Sequence, residues 1–184
     1  GEKNESFEKT EKNTKKNNGK NNATLNSNLV KFTMENGGSF IIELYPQYAP
    51  ETVENFRNLV ATGFYDGLTF HRIINGFMMQ GGDPNGDGTG GADKTVVGEF
   101  NLNGHNNPIS HKRGVISMAR SDAYNSASSQ FFICLDDASA ALDGNYAVFG
   151  KVIAGMDVVE KFASLGADIK RVNYSAPDAF LKAQ

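Results

Sequence analysis

Two strand-like runs lie next to each other in the stretch TFHRIINGFMMQGGD, residues 69–83. The first run contains Arg72 in an otherwise apolar strand, and the second ends at Gln80. A third run, 130–135, combines the same residue types, because strand alternation puts Gln130 and Phe132 on one face. If the opposite face packs into the core, this face presents polar groups beside an aromatic ring. The pattern predicts an apolar ligand pocket.

Outward from this stretch, the chain alternates apolar and polar residues in short segments. The first two segments flank an Asn-Gly pair and predict a hairpin, because both residues of that pair tolerate positive φ. A helix is predicted from Pro50, with Glu51 in its first turn and a stop at Gly63. A second helix is predicted at Met156–Phe162. The strand-like runs are 30–34, 40–44, 69–74, 77–80, 95–99, 114–118, 130–135 and 147–153.

Eight short strands and two helices predict a mainly β fold, a closed eight-stranded antiparallel barrel capped by two α-helices. Closure is favoured because it removes exposed sheet edges. The segment 170–184 does not have the pattern of a closing strand. Within it, 171–174 predicts a short strand and 179–183 a short helix.

The first 28 residues differ in composition from the rest of the chain. Six lysines against four glutamates give them a net charge of +2, and eight more residues are asparagine. Three apolar side chains are too few to offset the entropy of ordering, about 1–2 kcal/mol per residue. We therefore predict a disordered linker at 1–28 and one folded domain at 29–184.

The sequence lacks the residues that nucleic-acid binding, a membrane span, a disulfide or a metal site would need. A formal net charge of −3 gives no electrostatic reason for nucleic-acid binding, and no apolar run is long enough to span a bilayer. A single cysteine, Cys134, excludes an internal disulfide and lies in an apolar strand. Asp83–Gly88 matches the start of a calcium loop, but Lys94 stands where that loop needs glutamate. We expect no metal site and no cofactor.

From about Val30 to Phe162, the order and spacing of motifs resemble the cyclophilin family of peptidyl-prolyl cis–trans isomerases. The segments that carry the resemblance are 70–83, 88–91, 114–119, 129–133 and 142–150. The resemblance implies the barrel described above, with an active site on its outer face. It also implies catalysis of Xaa-Pro bond rotation in protein folding.

Matched position by position, the resemblance makes Arg72 the catalytic residue and Gln80 its neighbour in the site. The resemblance also implies an apolar pocket that binds the proline ring. Main-chain and amide groups beside this pocket would hold the flanking peptide. Tyr146 stands where many relatives carry histidine, and Ala141 where the cyclosporin-sensitive relatives carry tryptophan; weak cyclosporin binding is therefore expected. The substrate-binding positions are Phe77, Met78, Gly88, Ala119, Arg120, Gln130, Phe132, Leu142 and Tyr146.

These residue types suit a non-covalent reaction. A guanidinium that donates a hydrogen bond to the prolyl nitrogen would favour the state in which that nitrogen is no longer conjugated with the carbonyl. The alternative is a chaperone or scaffold that binds proline-containing segments with little catalysis. Arg72 separates the two hypotheses, because binding a ring needs no guanidinium.

The expected partners are Xaa-Pro peptides or unfolded protein segments, acted on by a monomer. An Asn/Lys/Glu-rich segment ahead of a folded domain is typical of the spacer in a secreted or lipid-anchored bacterial protein. A cytoplasmic location is the alternative.

Overall fold

The computed structural model describes residues 28–35 and 37–164, and the backbone of residues 174–178. The predicted linker at 1–28, apart from Asn28, and the predicted helix at 179–183 lie outside these ranges. Of the predicted strand at 171–174, only Tyr174 lies within them. Eight strands form one sheet in the order β3-β4-β6-β5-β7-β2-β1-β8, and all neighbouring pairs are antiparallel. The strands are β1 Leu29–Met34, β2 Ser39–Leu44, β3 Arg72–Ile74, β4 Met78–Gly81, β5 Val115–Met118, β6 Phe131–Cys134, β7 Val148–Ala154 and β8 Tyr174–Asp178.

The prediction of a closed barrel is wrong. The end strands of the sheet are β3 and β8, and within the described residues they do not pair with each other. The sheet is an open half-barrel. Its end strands are only three and five residues long, so they leave few backbone groups unpaired without closure.

Three α-helices are present in the described chain, where two were predicted. The two predicted helices are α1, Pro50–Ala61, and α3, Met156–Ser164. The additional helix, α2, is a single turn at Ser139–Leu142, too short to show a helical period in the sequence. No helix in the described ranges has the length and apolar character needed to cross a membrane.

The predicted strand at 95–99 is also wrong. Only one bridge forms there, between Val96 and Ala127. Side-chain amides replace the ladder: Gly98 N donates to Asn125 Oδ1 at 3.0 Å, and Asn103 Nδ2 donates to Gly98 O at 2.8 Å. The eighth strand is instead β8, which pairs with β1.

The main core lies on the face of the sheet covered by α1. Phe56 of α1 is fully buried, and its ring centroid lies 5.0 Å from that of Phe149 and 5.9 Å from that of Phe131. Tyr65 completes this aromatic group and donates from its hydroxyl to Ser129 O at 2.9 Å. Because α1 and these rings fill one face, the opposite face of β4, β5 and β6 is available for a site.

Alternation along β6 assigns its side chains to two separate clusters. Phe131 and Ile133 belong to the main core, whereas Phe132 and Cys134 belong to a smaller cluster on the other face, with Met78, Ala138 and Leu142. The period-2 prediction for this strand is therefore confirmed. Burial raises the pKa of Cys134 to about 12, so it remains a thiol at neutral pH.

Candidate active site

Strand register brings the central residues of the site into one row. Arg72 of β3 pairs with Gln80 of β4, Gln80 pairs with Phe132 of β6, and Phe132 pairs with Ser117 of β5. Residues directly opposite in antiparallel strands project to the same face. The row therefore runs from an exposed guanidinium at the sheet edge to a buried aromatic ring and a buried hydroxyl.

A cavity of about 170 Å³ opens over this row. Apolar residues form most of its wall, and Arg72, Arg120 and Gln80 line it too. Among the described residues, the Arg72 side chain makes no hydrogen bond or ion pair, so its donors are available to a ligand. The lining consists of Arg72, Phe77, Met78, Gln80, Ala119, Arg120, Phe132, Leu142 and Tyr146. All nine are positions that the sequence predicted.

A second cavity, of about 290 Å³, adjoins the first and shares Gln80, Ala119 and Arg120 with it. The two remaining predicted residues, Gly88 and Gln130, lie in its lining. The sequence did not identify its other lining residues, because serines and threonines in loops carry no distinctive pattern. These are Thr89, Gly90, Ser121, Ser126 and Ser128.

Gln130 connects the two cavities through its amide. Its Oε1 accepts from Gln80 Nε2 at 2.9 Å, and its Nε2 donates to the carbonyl oxygens of Gly88 and Gly90 at 3.0 and 2.8 Å. One side chain thus fixes both Gln80 and the glycine-rich loop. A shift of that loop would move the wall of the second cavity.

The calcium-like sequence at 83–88 supports this loop from behind. Asp83 is buried and accepts from the main-chain N–H groups of Asn85 at 2.8 Å and Gly88 at 2.5 Å. Burial opposes ionisation of the carboxyl, but the N–H donors outweigh it and lower its pKa. Both carboxylate oxygens are therefore engaged by the loop itself.

Gly82 allows this loop to leave β4. Its φ is +84°, and a Cβ atom there would lie 2.6 Å from the carbonyl oxygen of Ser129. The Ser129 hydroxyl also donates to Gly82 O at 2.7 Å. Only glycine lets the two backbones approach this closely.

His111 supports the apolar wall from below, and the sequence did not indicate this. The residue is fully buried, and its ring stacks on Phe132 with centroids 6.0 Å apart and planes 14° apart. The ring of Tyr146 meets that of Phe132 edge-on, at 5.8 Å and 86°. Phe132 and Tyr146, which both line the cavity, therefore pack against the imidazole and against each other.

Two hydrogen bonds fix the His111 ring. Its Nδ1 lies 2.9 Å from Asp143 Oδ1, and its Nε2 lies 2.9 Å from Ser117 Oγ. Burial lowers the pKa of His111, against the opposing effect of Asp143, so the ring is neutral at neutral pH. A carboxylate can only accept, so Nδ1 carries the proton and Nε2 accepts from Ser117. This chain of contacts connects β5 to the end of α2.

The side chain of Arg120 was also missed, since the sequence indicated only a main-chain role there. Its guanidinium carbon lies 4.9 Å from the ring centroid of Phe100, 5.3 Å from that of Tyr124 and 4.8 Å from that of Tyr146. Its Nε and Nη2 both donate to Asn145 O, at 3.1 and 2.9 Å. Two of the three aromatic partners, Phe100 and Tyr146, lie at least 20 residues away in sequence, so local spacing could not have identified the full set.

Comparisons with known proteins agree on one family. The family described as "Cyclophilin type peptidyl-prolyl cis-trans isomerase/CLD" matches residues 29–178. "Peptidyl-prolyl cis-trans isomerase B" of Bacillus subtilis is 44% identical over 133 residues, covering 72% of this chain and 89% of that protein. A "Peptidyl-prolyl cis-trans isomerase" of Helicobacter pylori is 43% identical over 143 residues, covering 77% and 83%.

Solved structures give the same result for the fold. A crystal structure of a cyclophilin type peptidyl-prolyl cis-trans isomerase from Cryptosporidium parvum has a TM-score of 0.71 and 29% identity, covering 82% of this chain and 94% of that one. A structure of that protein in the presence of the dipeptide Ala-Pro has a TM-score of 0.70 and 30% identity, covering 82% and 96%.

Proposed function

The chain belongs to the cyclophilin family of peptidyl-prolyl cis–trans isomerases, and on that basis we propose that Arg72 catalyses rotation of an Xaa-Pro bond held over the row Arg72–Gln80–Phe132. One observation carries the proposal: Arg72 lines an apolar cavity, and its guanidinium has no ion-pair partner among the described residues. Phe77, Met78, Phe132 and Leu142 hold the proline ring. Arg72 then lies next to the ring nitrogen.

The reaction needs a group that acts only near the transition state. Conjugation between nitrogen and carbonyl gives the peptide bond a rotation barrier of about 18–20 kcal/mol. When the bond is half rotated, the prolyl nitrogen is pyramidal and its lone pair can accept a hydrogen bond. Arg72 donates to it there and not in the planar ground state, so the interaction lowers the barrier. Arginine remains charged at any relevant pH.

The flanking peptide lies along the second cavity. Gln130 and the carbonyl oxygen of Gly88 border that path, as do the main-chain groups of Ala119 and Arg120. Ala119 N donates to Gln130 O at 3.0 Å, whereas Ala119 O and Arg120 N have no hydrogen-bond partner among the described residues and can bond with the substrate. These contacts hold one end of the peptide while the other end rotates.

The proposal is tested by measuring cis–trans exchange of a short Xaa-Pro peptide by NMR. Spontaneous exchange takes tens to hundreds of seconds at 25 °C, so catalysis is easily detected. We expect Arg72→Ala to lower kcat/KM by about 10- to 100-fold, the value of a hydrogen bond from a charged donor. Arg113→Ala is the matched control, since Arg113 is an exposed arginine that lines neither cavity.

The same experiment separates catalysis from binding alone. If Arg72→Ala retains wild-type exchange rates, the proposed role of Arg72 is wrong. If the wild type binds the peptide and leaves exchange at the spontaneous rate, the protein acts as a binding module for proline-containing segments.

A further inference from the structure

We propose that the second cavity selects substrates with a carboxylate close to the proline, and that Arg120 is the residue that determines this preference. The inference rests on the proposed function, because it takes the first cavity as the proline site. It concerns the side chain of Arg120, whereas the proposal above uses only its main chain. The ligand class is an acidic peptide: Asp or Glu within two residues of proline.

The lining of the second cavity carries one sign of charge. Its lining residues are polar or small, and Arg120 is the only one with a charged side chain. The first cavity has two charged residues in its lining, Arg72 and Arg120, and neither cavity is lined by Asp or Glu. A protein with a formal net charge of −3 therefore presents a positive site to its substrate.

Arg120 is held in place without being neutralised. Three aromatic rings surround its guanidinium, and its hydrogen bonds go to the main-chain oxygens of Asn145, Ser121 and Asp122. Carbonyl groups and ring faces carry no net charge. Within the described residues, no carboxylate lies within 4.0 Å of this guanidinium. The charge of Arg120 thus remains available to a ligand.

Donors suited to a carboxylate remain beside that charge. The four hydrogen bonds of Arg120 to described residues leave one Nη2 N–H for a further acceptor. Ser128 Oγ, in the same lining, accepts from Ala92 N at 3.1 Å, so its hydroxyl hydrogen can still be donated. A carboxylate here would gain a charge-assisted hydrogen bond, whereas an ammonium group would meet a like charge.

The position of the acidic residue is limited by reach. The two cavities share three lining residues, and an extended chain advances about 3.3–3.6 Å per residue. A side chain one or two residues from the proline can therefore enter the second cavity while the ring occupies the first.

The test is a set of peptides with Glu, Gln or Lys placed in turn at each of the two positions before and after a single proline. We expect kcat/KM for Glu to exceed that for Gln by roughly three- to fivefold at one position at least, with Lys below Gln, as for a partly solvated ion pair. In about 1 M salt, where the Debye length is near 3 Å, the Glu/Gln ratio should approach one.

Two variants assign the preference. In Arg120→Gln the ratio of kcat/KM for the Glu peptide to that for the Gln peptide should fall to about one. In Arg120→Lys the ratio should stay between one and the wild-type value. Lys151→Gln is the matched control, because it removes one exposed positive charge from β7 and should leave the ratio intact. Each ratio is measured within one variant, so a general loss of activity does not affect it.

The proposal is overturned if the wild type treats Glu and Gln alike at all four positions, or if the ratio survives in Arg120→Gln. It is also overturned if the wild-type ratio is insensitive to salt, a result that does not depend on any variant folding. Failure of the proposed function would give a different result. The cis–trans exchange rate of the Gln peptides would then be the same with the wild type and with Arg72→Ala.

Discussion

Replacing Ser117 by alanine removes the hydrogen-bond donor beneath the candidate active site. Ser117 and His111 are both fully buried, and Oγ lies 2.9 Å from the neutral Nε2 of the histidine. Water cannot take the place of the hydroxyl in a sealed interior, so Nε2 loses its partner. Leaving a buried acceptor unpaired costs about 1–3 kcal/mol. We therefore expect Ser117→Ala to lower the free energy of unfolding by about 2 kcal/mol.

Urea denaturation of the wild type and two variants measures this effect. Ser110→Ala is the matched control, because it removes a hydroxyl from the same network at the surface, where Oγ donates to Asp143 Oδ2 at 2.6 Å. Water can replace that contact, so a loss of under about 1 kcal/mol is expected. Equal slopes against urea would show that the comparison reports stability alone.

A loss for Ser117→Ala no larger than that for Ser110→Ala would refute the reasoning. It would mean that Nε2 does not accept a hydrogen bond from Ser117 in the folded protein. The pocket wall would then rest on ring packing without the hydrogen-bonded chain.

Further outcomes follow from the same geometry. The lowered pKa of His111 means that the unfolded state takes up a proton first, so the contribution of this residue to stability should be constant above about pH 6.5 and fall as the pH drops below it. This part of the pH dependence should be absent in His111→Gln, measured by urea denaturation across pH 4–8. Cys134, with a pKa raised to about 12, should not react with a thiol reagent at pH 8 until the protein unfolds, and rapid labelling of the native protein would contradict its burial. Gly82→Ala should cost more than about 2 kcal/mol, because the new Cβ meets Ser129 O, whereas Gly67→Ala has similar φ but open space and should cost about 1 kcal/mol, which thermal unfolding can compare. Ala141 is exposed on α2, so cyclosporin should bind weakly to the wild type and more tightly to Ala141→Trp in a calorimetric titration, and nanomolar wild-type affinity would contradict this.

Local patterns in the sequence predicted the elements that depend on local chemistry. Alternation predicted the β1–β2 hairpin, Pro50 and Gly63 bracketed α1, and period 2 along β6 separated Phe131 from Phe132. The structure also brings all eleven predicted site residues together around two adjoining cavities. Their assignment came from motifs long enough to be specific, not from the composition of any single strand.

What the sequence could not predict depends on contacts between distant segments. The run at 95–99 has the composition of a strand, but the side-chain amides of Asn103 and Asn125 take its hydrogen bonds. Barrel closure depends on whether the end strands meet, and no local pattern reports that. His111 was only a histidine in a loop until the fold brought it to Phe132 and Ser117.

The strand order has a consequence for a chain that emerges from the ribosome one end first. The sheet half that carries the site, β3-β4-β6-β5, comes from one continuous stretch between Arg72 and Cys134, so these four strands can pair with one another as that stretch appears. Only β5 has a further neighbour, β7, still to come. The hairpin β1–β2 is made earlier, yet β2 waits for β7, which begins at Val148, and β1 waits for β8. At about 5–20 residues per second, the first strands remain without these neighbours for several seconds. The strand synthesised first, β1, is thus the last to be fully paired, after the site-bearing strands are in place.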